Sequence, residues 1–369
     1  MSTTTTTTTT GKTMMTNGLE GVIAAETRLS DVDGERGRLI LAGHDVEELA
    51  LRASFAEACA LFLDTSAAEA AAGLARGRLL GFDRLSRVGD ALAAADGMDA
   101  LRAAAAHLPD GAPPLELVGA LATFAAAWSR RQAGAAPIAP DAGADHAADY
   151  LRMVRGAPAS AAEARALDAY LVTVIDHGMN ASTFTARVVT STGSDLVSAI
   201  VAAIGALKGP LHGGAPGPVL DMLDAIGEPS RAEAWLEGEL AAGRRLMGMG
   251  HRIYRVRDPR AAVLERALGV LEASGTRDAS SVAGRLALAR AVERAAEGVL
   301  QKRHPERALK ANVEFYTAVL LDAVGLPRTL FSPTFAVGRA AGWCAHALEQ
   351  RAHGRLIRPA SRYVGKMPG

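Results

Sequence analysis

One segment of this chain would be apolar around almost its whole circumference if it formed a helix. Residues 196–207 contain a single hydroxyl side chain, Ser198, and no charged residue over twelve positions. A helix at a protein surface normally has a polar face, so this one must be buried in a large core or at an interface between subunits. The run is also shorter than the ~18 apolar residues that a membrane span requires. A large core and no membrane span are therefore expected.

The composition favours helices that pack closely together. Aromatic residues make up only 4% of the chain, and alanine, which is abundant, has the best helix propensity, whereas strands prefer β-branched and aromatic residues. Apolar residues recur at the helical period in 262–273 and 286–300. An Asp-Gly pair between two alternating segments predicts a hairpin within 26–41. The predicted fold class is all-α with one small N-terminal β-hairpin.

Charge and cysteine content exclude several classes of partner. The 40 lysines and arginines balance the 40 aspartates and glutamates, so neither nucleic acid nor an anionic membrane is an expected partner. Cys59 and Cys344 lie far apart, without metal spacing or a disulfide framework, which is typical of a reducing compartment. The start of the chain, from Ser2 to Thr10, has neither the basic region nor the apolar core of a signal peptide. We predict a disordered Thr-rich tail at 1–17 and a soluble, cytoplasmic protein.

Two histidines set among glycines give the strongest signal for a functional site. His212 lies in the sequence Gly-Pro-Leu-His-Gly-Gly-Ala, and His251 lies in Gly-Met-Gly-His-Arg-Ile-Tyr. Glycines let the backbone approach a ligand closely, and an imidazole there can donate or accept at a fixed angle. The alternative is that each histidine merely occupies a tight turn. Together with the arginines within 255–260 and with Glu314, the two imidazoles suit carbanion chemistry on a polyanionic substrate.

Several motifs, in order along the chain, resemble the citrate synthase family, in particular the short bacterial type that includes the 2-methylcitrate synthases. The resemblance extends over roughly 18–365. It is strongest at 176–184, 209–214, 248–260, 312–316, 331–350 and 357–365. It implies an all-helical fold with a large domain formed by 18–212 and 320–369 and a small domain, 213–319, that closes over the active site. It further implies a homodimer or a higher homo-oligomer.

The resemblance also assigns roles to three histidines. His212 would hydrogen-bond the thioester oxygen of acetyl-CoA, because removing a methyl proton creates an enolate that needs a donor. His251 would polarise the ketone of oxaloacetate, and His177 would help to hold that substrate. The alternative for His177 is a helix histidine that faces a polar neighbour, but the adjacent glycine and Asn180 one turn away favour the site.

Five arginines match family positions that bind anions. Arg260, Arg339 and Arg358 correspond to a clamp for the substrate carboxylates, to which a guanidinium offers two parallel donors. Arg358 would be supplied by the neighbouring subunit. The alternative is an exposed surface arginine, against which Arg339 argues because its neighbours in sequence are apolar. Arg255 and Arg362 correspond to positions near the phosphates of CoA.

Glu314 departs from the family pattern. The usual sequence is Asn-Val-Asp, whose aspartate removes the methyl proton, whereas this chain has Asn-Val-Glu at 312–314. The additional methylene moves the carboxylate by on the order of 1 Å, which can cost ~100-fold in rate if nothing compensates. Either the backbone retreats, or the enzyme is slow, or its acyl-CoA or keto acid differs.

The predicted function is that of a citrate synthase, which condenses acetyl-CoA with oxaloacetate and water to give citrate and CoA, with Glu314 as the base. One alternative is a 2-methylcitrate synthase that uses propionyl-CoA. Another is a sensor or assembly protein that binds CoA or oxaloacetate with little turnover. The CoA thioester is a co-substrate, and no permanently bound cofactor is expected. No metal is expected either, because Cys344, His346 and His353 lie at spacings unlike a zinc site.

Overall fold

The computed structural model of the chain describes residues 18–19, 21–213, 216–251, 253–274, 279–307 and 309–368. The tail predicted at 1–17 lies outside the described residues. Within them the chain is mostly helical and has one small antiparallel sheet. The fold class predicted from composition and periodicity is confirmed.

The described part of the chain contains fifteen α-helices and three short strands. The strands are β1 (Ser30–Asp33), β2 (Arg38–Leu41) and β3 (His44–Asp45). The helices are α1 (Val46–Arg52), α2 (Phe55–Leu63), α3 (Ala67–Arg84), α4 (Gly97–Ala105), α5 (Pro114–Gln132), α6 (His146–Arg155), α7 (Ala161–Thr173), α8 (Ala181–Ser191), α9 (Leu196–Leu207), α10 (Pro216–Ile226), α11 (Ala232–Ala241), α12 (Pro259–Ala273), α13 (Ala279–Arg303), α14 (Val313–Ala323) and α15 (Phe331–His353). Short 3-10 helices lie at Ala91–Ala93, Pro229–Arg231 and Arg328–Leu330. Helices α12 and α13 contain the two segments whose periodicity predicted them.

Helices α3 and α5 pack with their backbones close together because glycines lie at their contact. A Cβ atom on Gly77 would lie 2.4 Å from the carbonyl oxygen of Glu116, and one on Gly119 would lie 2.3 Å from that of Leu74. Neither position can therefore carry a side chain unless the helices separate. Helix α5 is buried on all sides over 117–129, so it lies at the centre of the core.

Side-chain caps determine where three helices near the candidate site begin. Asn180 accepts a hydrogen bond from a backbone N–H in the first turn of α8, and Asp258 and Asn312 do the same for α12 and α14. A cap of this kind pairs a backbone donor that has no partner within its helix, and it is worth roughly 1 kcal/mol. Each cap also fixes the loop before its helix, and two candidate site residues, His177 and His251, lie in the loops before α8 and α12.

The N-terminal hairpin is larger than predicted, because a third strand extends it. Strands β1 and β2 pair antiparallel with Ser30 opposite Leu41, and β3 then pairs with β2. The turn between β2 and β3 places Ala42 and Gly43 at φ values of 47° and 85°. Alanine rarely adopts such a φ, so the sequence carried no signal for this second turn.

Helix α9 is buried on one side only within the single chain. Its residues Ala199, Ile200 and Ile204 are buried against the core, whereas the apolar Val201 and Ala202 are half-buried. The sequence predicted that every face of this helix is buried, either in a core or at a subunit interface. The core of the single chain buries one face. No single helix in the described ranges is long and apolar enough to cross a membrane, and the one pair that would qualify together, α2 with α3, is bent by 106°.

Candidate active site

His177 lies in the turn between α7 and α8, where Gly178 has a φ of 61° that favours glycine. The histidine is buried, and its Nε2 lies 3.1 Å from the hydroxyl of Tyr254. Burial, with the charges of Arg260 and Arg339, lowers the pKa of His177 well below its usual range. A neutral ring therefore shares a hydrogen bond with Tyr254.

His212 lies just beyond the end of α9 and contacts the first turn of α8. Its Nε2 accepts a hydrogen bond from the backbone N–H of Ser182 at 3.1 Å. A backbone N–H can only donate, so Nε2 carries no proton and the proton of the neutral ring is on Nδ1. Burial and the nearby Arg339 lower the pKa of His212 to about 4. At neutral pH this ring is an uncharged donor through Nδ1–H.

The hydroxyl of Ser182 connects His212 to the buried side chain of Trp343 in α15. The indole Nε1–H of Trp343 donates to this oxygen at 3.0 Å. The same oxygen lies 2.8 Å from Asn180 Oδ1 and 2.8 Å from His212 Nε2. Both of these atoms are acceptors that share one hydroxyl proton. The orientation of His212 is therefore determined by helices α8 and α15.

His251 has the opposite tautomer. Its Nδ1 accepts from the backbone N–H groups of Ile253 at 3.0 Å and Tyr254 at 3.1 Å, so the proton of the neutral ring is on Nε2. Burial and the charge of Arg260 lower the pKa of His251 to about 4. Arg260 Nη2 lies 3.3 Å from this Nε2. Because both groups are donors, they do not bond to each other, and they can instead converge on one oxygen acceptor.

Arg260 is buried and is held by Asp258. The guanidinium donates to both carboxylate oxygens, through Nε at 3.0 Å and Nη2 at 2.8 Å. Asp258 also accepts from the backbone N–H of Val313 at 3.2 Å, so the same carboxylate connects α12 to the start of α14. This bidentate pair fixes the remaining donors of Arg260 beside His251.

Glu314 lies in the first turn of α14, beside a small cavity whose lining includes Val174 and Phe335. Although it has some surface against the cavity, protein encloses its carboxyl, and burial raises its pKa to about 7. Asp258 adds to this rise, and Arg260 and Arg339 oppose it. The amide of Asn312 donates to the carbonyl of Gly250 at 2.8 Å, which ties the Glu314 segment to the His251 loop. A carboxyl with this pKa can gain or lose a proton near neutral pH.

Arg339 lies inside the fold, on α15. Its Nε donates to the carbonyl of Val174 at 2.6 Å, and its guanidinium lies over the ring of Phe335 at 4.8 Å. Burial lowers the pKa of Arg339 to about 10, which leaves it charged at neutral pH. Its charge lowers the pKa of both His212 and Glu314, so it lies close enough to act on both candidate catalytic groups.

Three predicted arginines do not join this cluster within one chain. The side chain of Arg255 is exposed, and its backbone N–H donates to the carbonyl of Gly34 at 2.9 Å. Arg358 and Arg362 lie on the exposed C-terminal segment. Arg358 lines a separate surface groove with residues that include His353. Their assignments to the substrate carboxylates and the CoA phosphates stay predictions.

Three residues of the site were not identified from the sequence. Tyr254 belongs to the His251 motif, and Asp258 precedes a proline at a helix start, which is an N-cap signature. Ser182 contacts His212 through its backbone N–H and its hydroxyl, and nothing in the sequence distinguished this serine from the others. Among the described residues, no group of three or more His, Cys, Asp or Glu side chains is placed to bind a metal ion.

The helical fold brings groups that can exchange a proton and guanidiniums that can bind an anion into one cluster. The clustered residues are His177, His212, His251, Arg260, Glu314 and Arg339. A family model described as citrate synthase, C-terminal domain, matches residues 18–360.

Relatives and solved structures agree with that match. A protein named putative citrate synthase 2 from Mycobacterium tuberculosis is 38% identical over 380 residues, which cover 95% of this chain and 93% of that protein. A 2-methylcitrate synthase from the same species is 36% identical over 366 residues, 94% of this chain and 90% of that protein. The structure of citrate synthase from Thermoplasma acidophilum with carboxymethyl coenzyme A and oxaloacetate has a TM-score of 0.80 at 29% identity, and the match covers 95% of this chain and 96% of that one. The chain belongs to the citrate synthase family and is a condensing enzyme of the transferase type.

Proposed function

We propose that this enzyme condenses acetyl-CoA with oxaloacetate and water to give citrate and free CoA. The observation that carries the proposal is a cluster in which two buried arginines connect two neutral imidazoles and one carboxyl. Arg260 lies 3.3 Å from His251, and the charge of Arg339 acts on both His212 and Glu314, whose pKa is about 7. The solved complex with a CoA analogue and oxaloacetate in a relative of the same fold supports these two substrates.

In the first step, Glu314 removes a proton from the methyl carbon of acetyl-CoA. The thioester oxygen gains negative charge as the enolate forms, and Nδ1–H of His212 donates to it. A donor that is already in place stabilises developing charge without the cost of reorienting solvent. With a pKa of about 7, about half of the Glu314 carboxyls are ionised at neutral pH and can act as the base.

In the second step, the enolate carbon attacks the ketone carbon of oxaloacetate. Nε2–H of His251 and the guanidinium of Arg260 converge on the ketone oxygen and stabilise its charge, and this oxygen takes the Nε2 proton of His251 to become the hydroxyl of citryl-CoA. His251 regains a proton from solvent, and Glu314 releases to solvent the proton that it took from the methyl carbon. Water then adds to the thioester carbon, the carbon–sulfur bond breaks, and CoA leaves as the thiol.

The carboxylates of oxaloacetate are held by positive groups on several elements. We assign this role to Arg260, Arg339 and His177, with Arg358 supplied by the second subunit of a homodimer or a higher homo-oligomer. Arg255 and Arg362 are assigned to the phosphates of CoA. The exposure of the last three arginines in the single chain fits groups that meet their ligand only after assembly or domain closure.

The two-domain division is part of the proposal. Residues 18–212 and 320–369 would form the large domain, and 213–319 would form the small domain that closes over the substrates. The hydrogen bond between His177 and Tyr254 crosses this boundary. Closure would exclude water from the enolate and complete the site.

A second candidate is the condensation of propionyl-CoA to 2-methylcitrate. Beside Glu314 the cavity is lined by the apolar side chains of Val174, Phe331 and Phe335, against which an additional methyl group could pack. One methylene changes discrimination between substrates by only ~1–3 kcal/mol, and a relative at 36% identity is named 2-methylcitrate synthase.

Measuring thiol release with each acyl-CoA tests the proposal. Purified protein should release CoA from acetyl-CoA only when oxaloacetate is present, and the ratio of kcat/KM for the two thioesters assigns the preferred substrate. If neither thioester releases CoA at high protein concentration, both condensation reactions are refuted, and a binding protein with little turnover takes their place.

A further inference from the structure

The β1–β2 hairpin contacts the turn that carries His177. The hydroxyl of Ser30, in β1, donates to Asp176 Oδ2 at 2.5 Å and accepts from the backbone N–H of Gly178 at 2.9 Å. One hydroxyl therefore bonds to the residues on both sides of His177. Strand β1 also covers this turn with Val32, because a Cβ on Gly178 would lie 3.3 Å from Val32 Cγ2.

Asp176 is held from its other side by a buried chain of polar groups. His346 Nδ1 accepts from the guanidinium of Arg187 at 2.8 Å, so its Nε2–H donates to Asp176 Oδ2 at 3.1 Å. Arg187, His346 and Asp176 are all buried. Asp176 is thus held by the core on one side and by the hairpin on the other. The hydroxyl of Ser30 also accepts from the backbone N–H of Gly178, the residue that follows His177.

The turn of the same hairpin contacts the loop that carries His251. The carbonyl of Gly34 accepts from the backbone N–H of Arg255 at 2.9 Å. A Cβ on Gly34 would lie 2.5 Å from the carbonyl oxygen of Ile253, and one on Gly37 would lie 2.5 Å from Val256 Cγ2. This loop supplies the two backbone N–H groups that hold His251 Nδ1. The hairpin turn is therefore fitted against the segment that orients His251.

We propose that the β1–β2 hairpin is a positioning element for both histidine loops, with Ser30 as its positioning residue for His177. The hairpin contacts the His177 loop through Ser30 and the His251 loop through Gly34. The two loops also contact each other, because His177 bonds to Tyr254. The inference rests on the proposed function, because it assumes that both histidines contact oxaloacetate. The hairpin itself contacts no reacting atom and acts only through them.

Ser30→Ala removes the hydroxyl and leaves the N–H of Gly178 without its partner. We expect the Kd for oxaloacetate, measured by calorimetry on the full-length enzyme, to rise about tenfold, the cost of one unpaired, partly buried donor. The KM for acetyl-CoA at saturating oxaloacetate should change by less than about twofold, because His212 and Glu314 are held by other elements. Ser30→Thr keeps the hydroxyl and should restore oxaloacetate binding.

A double-mutant cycle separates positioning from a general loss of structure. If Ser30 acts through His177, then Ser30→Ala should weaken oxaloacetate binding much less in a His177→Ala background than in the wild type. An equal effect in both backgrounds would overturn the role assigned to Ser30. So would an unchanged Kd in the single variant, or a loss that Ser30→Thr does not restore.

The contact of the hairpin turn is tested with Gly34→Ala and a matched control. Gly34 does not adopt a positive φ, so alanine there acts only through its contact with Ile253. Gly111→Ala is the control, since a Cβ at that position meets no atom within 4 Å. Gly34→Ala should lower kcat at least about fivefold by displacing His251, and Gly111→Ala should not. Equal kcat values for the two would refute this contact, whereas a wild type that does not bind oxaloacetate would refute the proposed function itself.

Discussion

Replacing Glu314 by glutamine should stop turnover and, at the same time, stabilise the enzyme above neutral pH. Burial raises the pKa of this carboxyl from its ordinary value of 4.5 to about 7. Below pH 4.5 the carboxyl is protonated in the folded and the unfolded chain, so it has no effect on the free energy of unfolding. As the pH rises to 7, the unfolded chain loses the proton while the folded chain keeps it, and the folded state becomes less stable.

The size of the effect follows from the shift. One pKa unit corresponds to about 1.4 kcal/mol, so a rise from 4.5 to about 7 amounts to roughly 3 kcal/mol at pH 8. Glutamine keeps the shape of the side chain and cannot ionise. We therefore expect Glu314→Gln to be about 3 kcal/mol more stable than the wild type at pH 8 and nearly equal to it at pH 4.5.

The assay is denaturant unfolding followed by circular dichroism at several pH values and one protein concentration, because the stability of an oligomer depends on concentration. Glu237→Gln, at an exposed position of α11, is the control and should show no comparable gain. The same preparation of Glu314→Gln should lose at least ~100-fold in kcat while it still binds oxaloacetate. A stability difference that does not change with pH would refute the raised pKa, and near-normal turnover would show that another group is the base.

Other consequences of the site can be measured independently. The kcat/KM for acetyl-CoA should fall roughly tenfold between pH 8 and pH 6 as Glu314 gains its proton, since its pKa is about 7; a flat profile would contradict the assignment. Glu314→Asp restores the usual residue of the family, and a higher kcat would show that the additional methylene is a handicap, whereas a lower one would show that the backbone has adapted to it. Asp258→Asn removes the counter-charge of the buried Arg260, so the unfolding free energy should drop by about 3–5 kcal/mol; a change below ~1 kcal/mol in denaturant titrations would disprove that dependence. Sedimentation should show a dimer or a larger species, and calorimetry should show tighter binding of a CoA thioester once oxaloacetate is present; a fully active monomer would exclude Arg358 as a group supplied in trans.

The sequence predicted the elements whose signals are local. Periodicity predicted α12 and α13, and the glycines around His212 and His251 indicated two non-helical segments, which in the structure carry the two histidines of the cluster. The residues that hold these histidines could not be predicted in the same way. The tautomers of both rings are set by backbone N–H groups, which every residue type has, and only the folded chain shows which of them lie within reach.

Other parts of the site could not be predicted because they depend on more than one segment. His346 has no distinctive neighbours in sequence, yet it lies buried between Arg187 and Asp176, which come from α8 and from the turn before it. Arg358 has the residue type of the carboxylate clamp, but it is exposed in the single chain. The effect of Glu314 was also open at the level of sequence, since the pKa of its carboxyl depends on burial by residues far away along the chain.

The bond between Trp343 and Ser182 gives the enzyme an optical reporter of its own active site. The emission of a buried indole changes when the partner of its N–H moves, and here that partner is the hydroxyl that also contacts His212. Trp128 donates to the carbonyl of Ala94, in a different part of the fold. Trp235 lies on α11. We therefore expect occupancy at His212 to change the emission of Trp343, and Trp343→Phe should remove that change while Trp128 and Trp235 still emit.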